Sequence, residues 1–351
     1  MSKQKAFVIL SPGFAASETD TACLPMQQSF VKNLATLYPA IEIFVLSFQY
    51  PFYRSIYKSF GATIMSFGGR NRGGVSKYFL RSEVSKALQK LNAEKQIIGI
   101  LSFWFGECAY VGRSFAVKNG LKHYCWLLGQ DARANNKYAK KFFPGTNNLI
   151  ALSDFLQEEF ERNHGVRPFA VISPGIESGI NSTSRNIDLL AVGSLIPLKQ
   201  FEVFISSVAA IKQKVPEVKA LLVGEGPERK TLMNLVDSLG LRDNIILTGK
   251  MDHKEVMCLM QRAKILLHPS SYEGYSGVCQ EALSCGAHVI SFCRAVNSDI
   301  GQWHIVRSED EMVKKALALL QDASTIYQPI PFPPMAATAK QMMDLYLSEV
   351  E

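Results

Sequence analysis

Two glutamates eight positions apart, Glu273 and Glu281, bracket a run of small residues in HPSSYEGYSGVCQEALSCG, residues 268–286. The apolar run AKILL precedes this stretch. That pattern predicts a buried strand ending near His268 and a helix starting near Ser276. The first backbone N–H groups of such a helix have no intrahelical partners, and together with the helix dipole they form an anion site. Ser276 and Gly277 would let phosphate oxygens approach closely. Glu281, about one turn into the helix, can reach a vicinal diol such as a ribose, and Glu273 precedes the turn. A diphosphate between two carboxylates suits a sugar nucleotide. Spacing alone leaves a second reading open, with Glu281 a solvated helix residue and Glu273 a capping acid.

Such a loop needs a sheet behind it. Short apolar runs alternate with longer helical patterns almost throughout. KAFVIL, IEIFVLSF, GATIMSF, KQIIGILSF, HYCWLLG, NLIALS and PFAVIS read as strands in the first half. IDLLAVG, VKALLVG, NIILTG, AKILLHP and AHVISF do so in the second, separated by amphipathic stretches such as FEVFISSVAAIKQKV and HKEVMCLMQRA. Buried strands alternating with helices signify doubly wound, parallel α/β sheets. The Ser-, Gly- and Asn-rich stretch SPGIESGINSTSRN reads as a linker. The expected organisation is a Rossmann-like domain over 1–175, a linker over 176–187 and a second such domain over 188–328. A last helix within 329–351 crosses back to the first domain. Ligands of such sheets bind beyond the carboxyl ends of the strands, here in a cleft between the domains.

Bulk properties narrow the class. The composition, 47% hydrophobic and 20% charged over 351 residues, is that of a globular protein. The apolar run after the basic start MSKQK is too short for a signal-peptide core, which suggests a cytoplasmic protein. The seven cysteines are odd in number and never spaced as C-x-x-C, against a zinc site or disulfide framework. Charge is uneven: residues 1–183 hold 21 Lys/Arg against 12 Asp/Glu, and residues 184–351 hold 17 against 19. The basic half either meets something anionic, such as a membrane surface or a phosphorylated substrate, or is simply solvated. No nucleic-acid recognition motif accompanies it.

LLAVGSLIPLKQFEVFISSVAAI, ALLVGEGPERKTLMNLVDSLGL and NIILTGKMDHKEVMCLMQRAKILLHPSSYEGYSGVCQEALSCGAHVISF follow in order. Together they resemble the donor-binding domain of retaining glycosyltransferases of family 4, the group 1 enzymes of GT-B fold. The resemblance covers residues 188–293 and implies that Glu281 binds ribose hydroxyls and Glu273 the donor sugar. Lys199 would neutralise the departing diphosphate, and amides at Ser276, Gly277 and Val278 would hold it. Gly224 and Gly226 of GEGP, with the backbone at Lys250 and Met251, would form the base side. Gly13 after the first strand would let the diphosphate or sugar approach. The resemblance implies no cofactor and no bound metal, and the chain lacks a D-x-D motif. It departs from the pattern at Ser194, where an arginine is usual, and at Phe103 and Leu128, where histidines are. Arg133 or Arg70 is a candidate replacement for the missing cation.

Gln130, Asp131 and Arg133 are candidate sugar or acceptor contacts, with helix capping the alternative for Asp131. His268 reads as a local hydrogen-bonder and His253 as a surface residue. The segment FQYPFYRSIYKSFG, residues 48–61, suits an acceptor groove or lipid headgroups, or is core with solvated cations. The expected function is transfer of a hexose from a nucleotide-diphosphate sugar to a polysaccharide, lipid or lipid-linked acceptor. Peripheral contact with an anionic membrane would go with it. The alternatives are a GT-B enzyme with a soluble acceptor and a non-catalytic nucleotide-sugar binder.

Overall fold

The computed structural model describes residues 3–21, 23–141, 148–176, 184–296 and 299–348. The chain forms two compact units, one of residues up to Gly175 with the segment from Pro333 onward, the other from Ile176 to Phe332. Most of the expected linker, 177–183, lies outside the described residues.

In the first unit an eight-stranded sheet has β1 (Lys5–Gly13) near its middle. On one side follow β2 (Glu42–Tyr50), β4 (Ala62–Phe67) and the edge strand β3 (Arg54–Ser59). On the other follow β5 (Gln96–Phe103), β6 (His123–Leu127), β7 (Leu149–Ala151) and β8 (Ala170–Val171). Every pairing is parallel except the β3–β4 hairpin. Strand β3 is absent from the sequence reading because exposed residues (Arg54, Ile56, Lys58) alternate with less exposed ones on a sheet edge and form no apolar run. Helices α1 (Pro25–Leu37), α2 (Val75–Glu94) and α3 (Glu107–Asn119) cover the sheet, and α4 (Lys137–Lys141) and α5 (Asp154–His164) follow. The core between β1, β2, β5, α2 and α3 is built of Val8, Leu10, Leu46, Phe48, Val84, Leu88, Ile100 and Phe115.

The second unit has six parallel strands in the order β11-β10-β9-β12-β13-β14. They are β9 (Ile187–Val192), β10 (Ala220–Val223), β11 (Ile245–Gly249), β12 (Ala263–His268), β13 (His288–Ser291) and β14 (Trp303–Ile305). Its helices are α6 (Phe201–Lys212), α7 (Arg229–Ser238), α8 (His253–Arg262), α9 (Gly277–Ser284) and α10 (Glu309–Gln321). The central strands β9 and β12 bury both faces, as apolar runs such as IDLLAV require. Ile330 and Phe332 still pack on the core of this unit.

The last helix, α11 (Met335–Leu347), packs in the first unit. Tyr346 is its anchor. Its hydroxyl donates to Ile100 O (2.8 Å), its ring meets Phe7 edge-on, and Gly99 makes room for it, since a Cβ there would lie 2.1 Å from the ring.

Candidate active site

Strand β12 ends at His268, and the chain then turns through residues 269–276 into α9. The helix cap is Ser276, held in the left-handed region at φ 58° and 2% exposed. Its hydroxyl is buried and has no hydrogen-bond partner among the described residues. A serine normally turns its oxygen onto the amides of its own helix. Ser276 does not, so the first N–H groups of α9 receive no side-chain cap. A non-glycine residue in this conformation is strained. The orphan hydroxyl and the uncapped amides together fit an anionic group from outside the chain.

Lys199 is brought to this loop from the turn Pro197–Lys199. That turn is fastened by Leu198 O, which accepts from the Ser271 amide (3.0 Å) and the Ser271 hydroxyl (3.1 Å). Lys199 Nζ donates to Glu273 Oε1 at 2.5 Å, and both side chains are mostly buried. The fully buried His268 donates from Nε2 to the same oxygen at 2.8 Å. Burial alone would raise the Glu273 carboxyl, but the His268 hydrogen bond and the Lys199 charge outweigh it and hold it at about 2. Burial pushes His268 below the usual imidazole value, against the pull of Glu273. Burial thus disfavours the charged form of His268, while Lys199 brings an ammonium to the same carboxylate. This triad fixes the carboxylate rigidly, with Oε2 left without a partner among the described residues.

Glu281, the fifth residue of α9, is held in the same way by another element. His253, first residue of α8, donates from Nε2 to Glu281 Oε1 at 2.8 Å. The backbone there is locked by a capping box, in which Asp252 accepts from the Glu255 amide (2.8 Å) and Glu255 accepts from the Asp252 amide (2.9 Å). Lys250 and Met251 lie immediately before that box. His253 is partly buried, and its contact with Glu281 was not legible in sequence because the two are 28 residues apart.

The glycines divide into two kinds. A Cβ on Gly224 would lie 1.8 Å from Gly193 O, and one on Gly226 2.4 Å from Leu195 O. Close packing of the β9 and β10 loops therefore demands both. A Cβ on Gly13 would meet Tyr50, its Cβ at 3.5 Å and its carbonyl oxygen at 3.8 Å, both ordinary contacts. In the first unit Asp131 is buried, and its oxygens accept from the amides of Phe105 (2.8 Å), Gly129 (2.8 Å) and Leu128 (3.2 Å). It fastens the chain. Gln130 beside it is exposed, and the Arg133 carbonyl contacts His164 at 3.1 Å. Arg70 donates to Phe52 O (2.8 Å) in its own unit, and Ser194 is exposed.

Comparison with known proteins shows what this chain is similar to. Residues 177–323 match the glycosyl transferases group 1 family. The gpi3 subunit of phosphatidylinositol N-acetylglucosaminyltransferase from Schizosaccharomyces pombe is 25% identical over 203 residues, 55% of this chain and 44% of that protein. The chain thus spans less than half the length of that curated relative. Among solved structures, Anabaena Alr3699/HepE in complex with UDP and glucose superposes with a TM-score of 0.65 at 15% identity, covering 97% of this chain and 95% of the other. Sucrose-phosphate synthase from Thermosynechococcus elongatus gives 0.69 at 16% identity, covering 97% and 98%. These likenesses establish the fold, which is GT-B.

Proposed function

We propose, from a second unit in which residues 177–323 match the glycosyl transferases group 1 family, that this protein is a retaining hexosyltransferase. It would use a nucleotide-diphosphate sugar and deliver the hexose to a glycan, lipid or lipid-linked acceptor. One observation carries the reading. The strained, buried Ser276 leaves its hydroxyl and the amides of α9 unclaimed between two carboxylates that other residues hold in place. The diphosphate would sit on the amides at 276–278, the ribose diol on Glu281 and the hexose on Glu273. The base would lie by the backbone of Lys250 and Met251, beside the loop that Gly224 and Gly226 shape.

In the reaction the bond from the anomeric carbon to the phosphate oxygen breaks, and a bond to the acceptor oxygen forms on the same face. The acceptor proton passes to the departing phosphate oxygen. Negative charge grows on the leaving group, where Lys199 and the helix N-terminus stabilise it. One preorganised donor of this kind lowers the barrier by about 3–4 kcal/mol. Glu273, ionised and pinned by two donors, orients the sugar and faces the positive charge developing at its anomeric carbon. This chemistry needs no metal ion, because the cation and the helix dipole do its work.

The first unit would take the acceptor. Phe52, Tyr53, Ile56, Tyr78 and Phe79 are exposed there among Arg54, Lys58, Arg70 and Arg72. Arg54 bonds Glu83 of α2 (2.7 Å), and Arg70 bonds Phe52 O, so hairpin, loop and helix make one surface. Aromatics interleaved with cations suit anionic lipid headgroups, which supports an acceptor presented at a membrane. The test is turnover by the purified full chain with UDP-, GDP- and ADP-hexoses. Lys199→Ala and Glu273→Ala should each lower it at least about 10²-fold. Near-normal turnover in either folded variant contradicts its assigned role.

A further inference from the structure

Outside the donor-side site, one cavity is built rather than incidental. It measures about 290 Å³ and lies in the first unit. Its walls include Phe48 and Gln49 from β2, Phe103 from β5, and then Trp104 and Glu107 where β5 gives way to α3. The carboxyl edge of a doubly wound sheet is where such folds hold ligands.

Trp104 is in the left-handed region at φ 63°, a conformation that a bulky side chain rarely takes. The surrounding chain imposes it. The Trp104 amide donates to Trp126 O (3.0 Å), the Phe105 amide to Asp131 (2.8 Å), and the Gly106 amide back to Trp104 O (2.9 Å). Asn136 Nδ2 donates to Phe105 O at 2.9 Å. Strain held by so many bonds persists where it presents something. Here it presents a half-exposed indole whose N–H has no partner among the described residues.

Glu107 is the cavity's charged group, its side chain 11% exposed. Arg81 donates to one oxygen (2.9 Å) and Gln49 to the other (3.3 Å). The guanidinium also bonds the Tyr138 hydroxyl (3.1 Å) and lies over the Tyr110 ring. The carboxylate is thus fixed and its charge compensated, yet it keeps lone pairs for hydroxyl donors. An aromatic face beside a neutralised carboxylate matches a ring with one apolar C–H face and several hydroxyls.

We infer that this cavity is a subsite for an uncharged hexose ring, with the sugar against Trp104 and its hydroxyls on Glu107. Asp131 is a positioning residue for it, acting through Phe105. Only the ring's identity as part of the acceptor rests on the transferase reading above.

Saturation-transfer NMR on the full chain tests this directly, using methyl α-D-glucopyranoside, methyl α-D-galactopyranoside, D-glucosamine and inositol 1-phosphate as probes. Both neutral glycosides should receive magnetisation, and the cationic and anionic probes should receive less. Trp104→Ala should abolish the signal, Trp104→Phe should keep part of it, and Glu107→Gln should weaken affinity about 10-fold. A melting shift with UDP, GDP or ADP, read on the same samples, reports the other unit. No transfer from either neutral glycoside overturns the inference, as does undiminished transfer in Trp104→Ala or preference for a charged probe. A wild-type chain with no nucleotide shift contradicts the donor reading and leaves the sugar result to be judged alone.

Discussion

Glu281 and Glu273 show how much of the chemistry a residue pattern carries and how much it leaves to folding. Their spacing around small residues led to the expectation of an anion between two carboxylates. What holds each carboxylate was not visible, because Lys199 comes from 74 residues away and His253 from 28. The His253 contact has a measurable consequence. Without its Nε2 donor the Glu281 carboxylate is free to rotate away from the diol, so His253→Ala should raise the donor KM about 10-fold, equivalent to about 1.4 kcal/mol. His253→Gln, which restores an N–H donor, should recover most of it. Steady-state kinetics with ribo- and 2′-deoxyribonucleotide donors checks the assignment, since the variant should lose its preference between them. An equal loss with both donors contradicts a role at the ribose. Asp131 illustrates the opposite case: an acidic residue in a loop of the first unit has its oxygens occupied by backbone amides.

At the scale of elements, apolar periodicity located five of the six strands described in the second unit's sheet and seven of the eight in the first. Two were missed, β3 and β14, for the same physical reason. Both lie at sheet edges and are short or half exposed, so neither carries a continuous apolar run. Packing of these elements also creates buried groups that set the response to acid. His123 on β6 donates from Nε2 to Ser102 Oγ (2.9 Å), and its Nδ1 is buried without a partner among the described residues. Burial, and then the charge of Arg113, lower its titration from 6.5 to about 3. Between those values the unfolded chain binds a proton that the folded chain refuses. Its contribution is therefore full above about pH 6.5 and is lost as pH falls toward about 3, at up to ~1.4 kcal/mol per pH unit. Urea unfolding between about pH 6 and pH 4.5 should show a slope smaller by nearly that amount in His123→Gln. An unchanged slope means that His123 is not the acid-sensitive group.

For the whole molecule, charge and exposed surface were partly legible. The basic excess of the first half is plain in the sequence, whereas the gathering of aromatics and cations on one surface needed the β3–β4 hairpin and its tie to α2. Among the described residues no helix is long and apolar enough to cross a membrane. Under the proposal of an acceptor presented at a membrane, contact with a bilayer would run through this surface. The protein should float with vesicles containing anionic phosphatidylglycerol at low salt and leave them at high salt, where the Debye length is only a few ångström. Replacing Arg70 and Arg72 with glutamate should reduce flotation, and indifference to both salt and charge contradicts the surface assignment. The account as a whole turns on where a nucleoside diphosphate binds. The most direct measurement is a crystal structure of the full chain grown with UDP, GDP or ADP. Phosphate oxygens should lie within hydrogen-bond distance of the Gly277 and Val278 amides, with the ribose diol on Glu281. A well-ordered diphosphate bound anywhere else contradicts it.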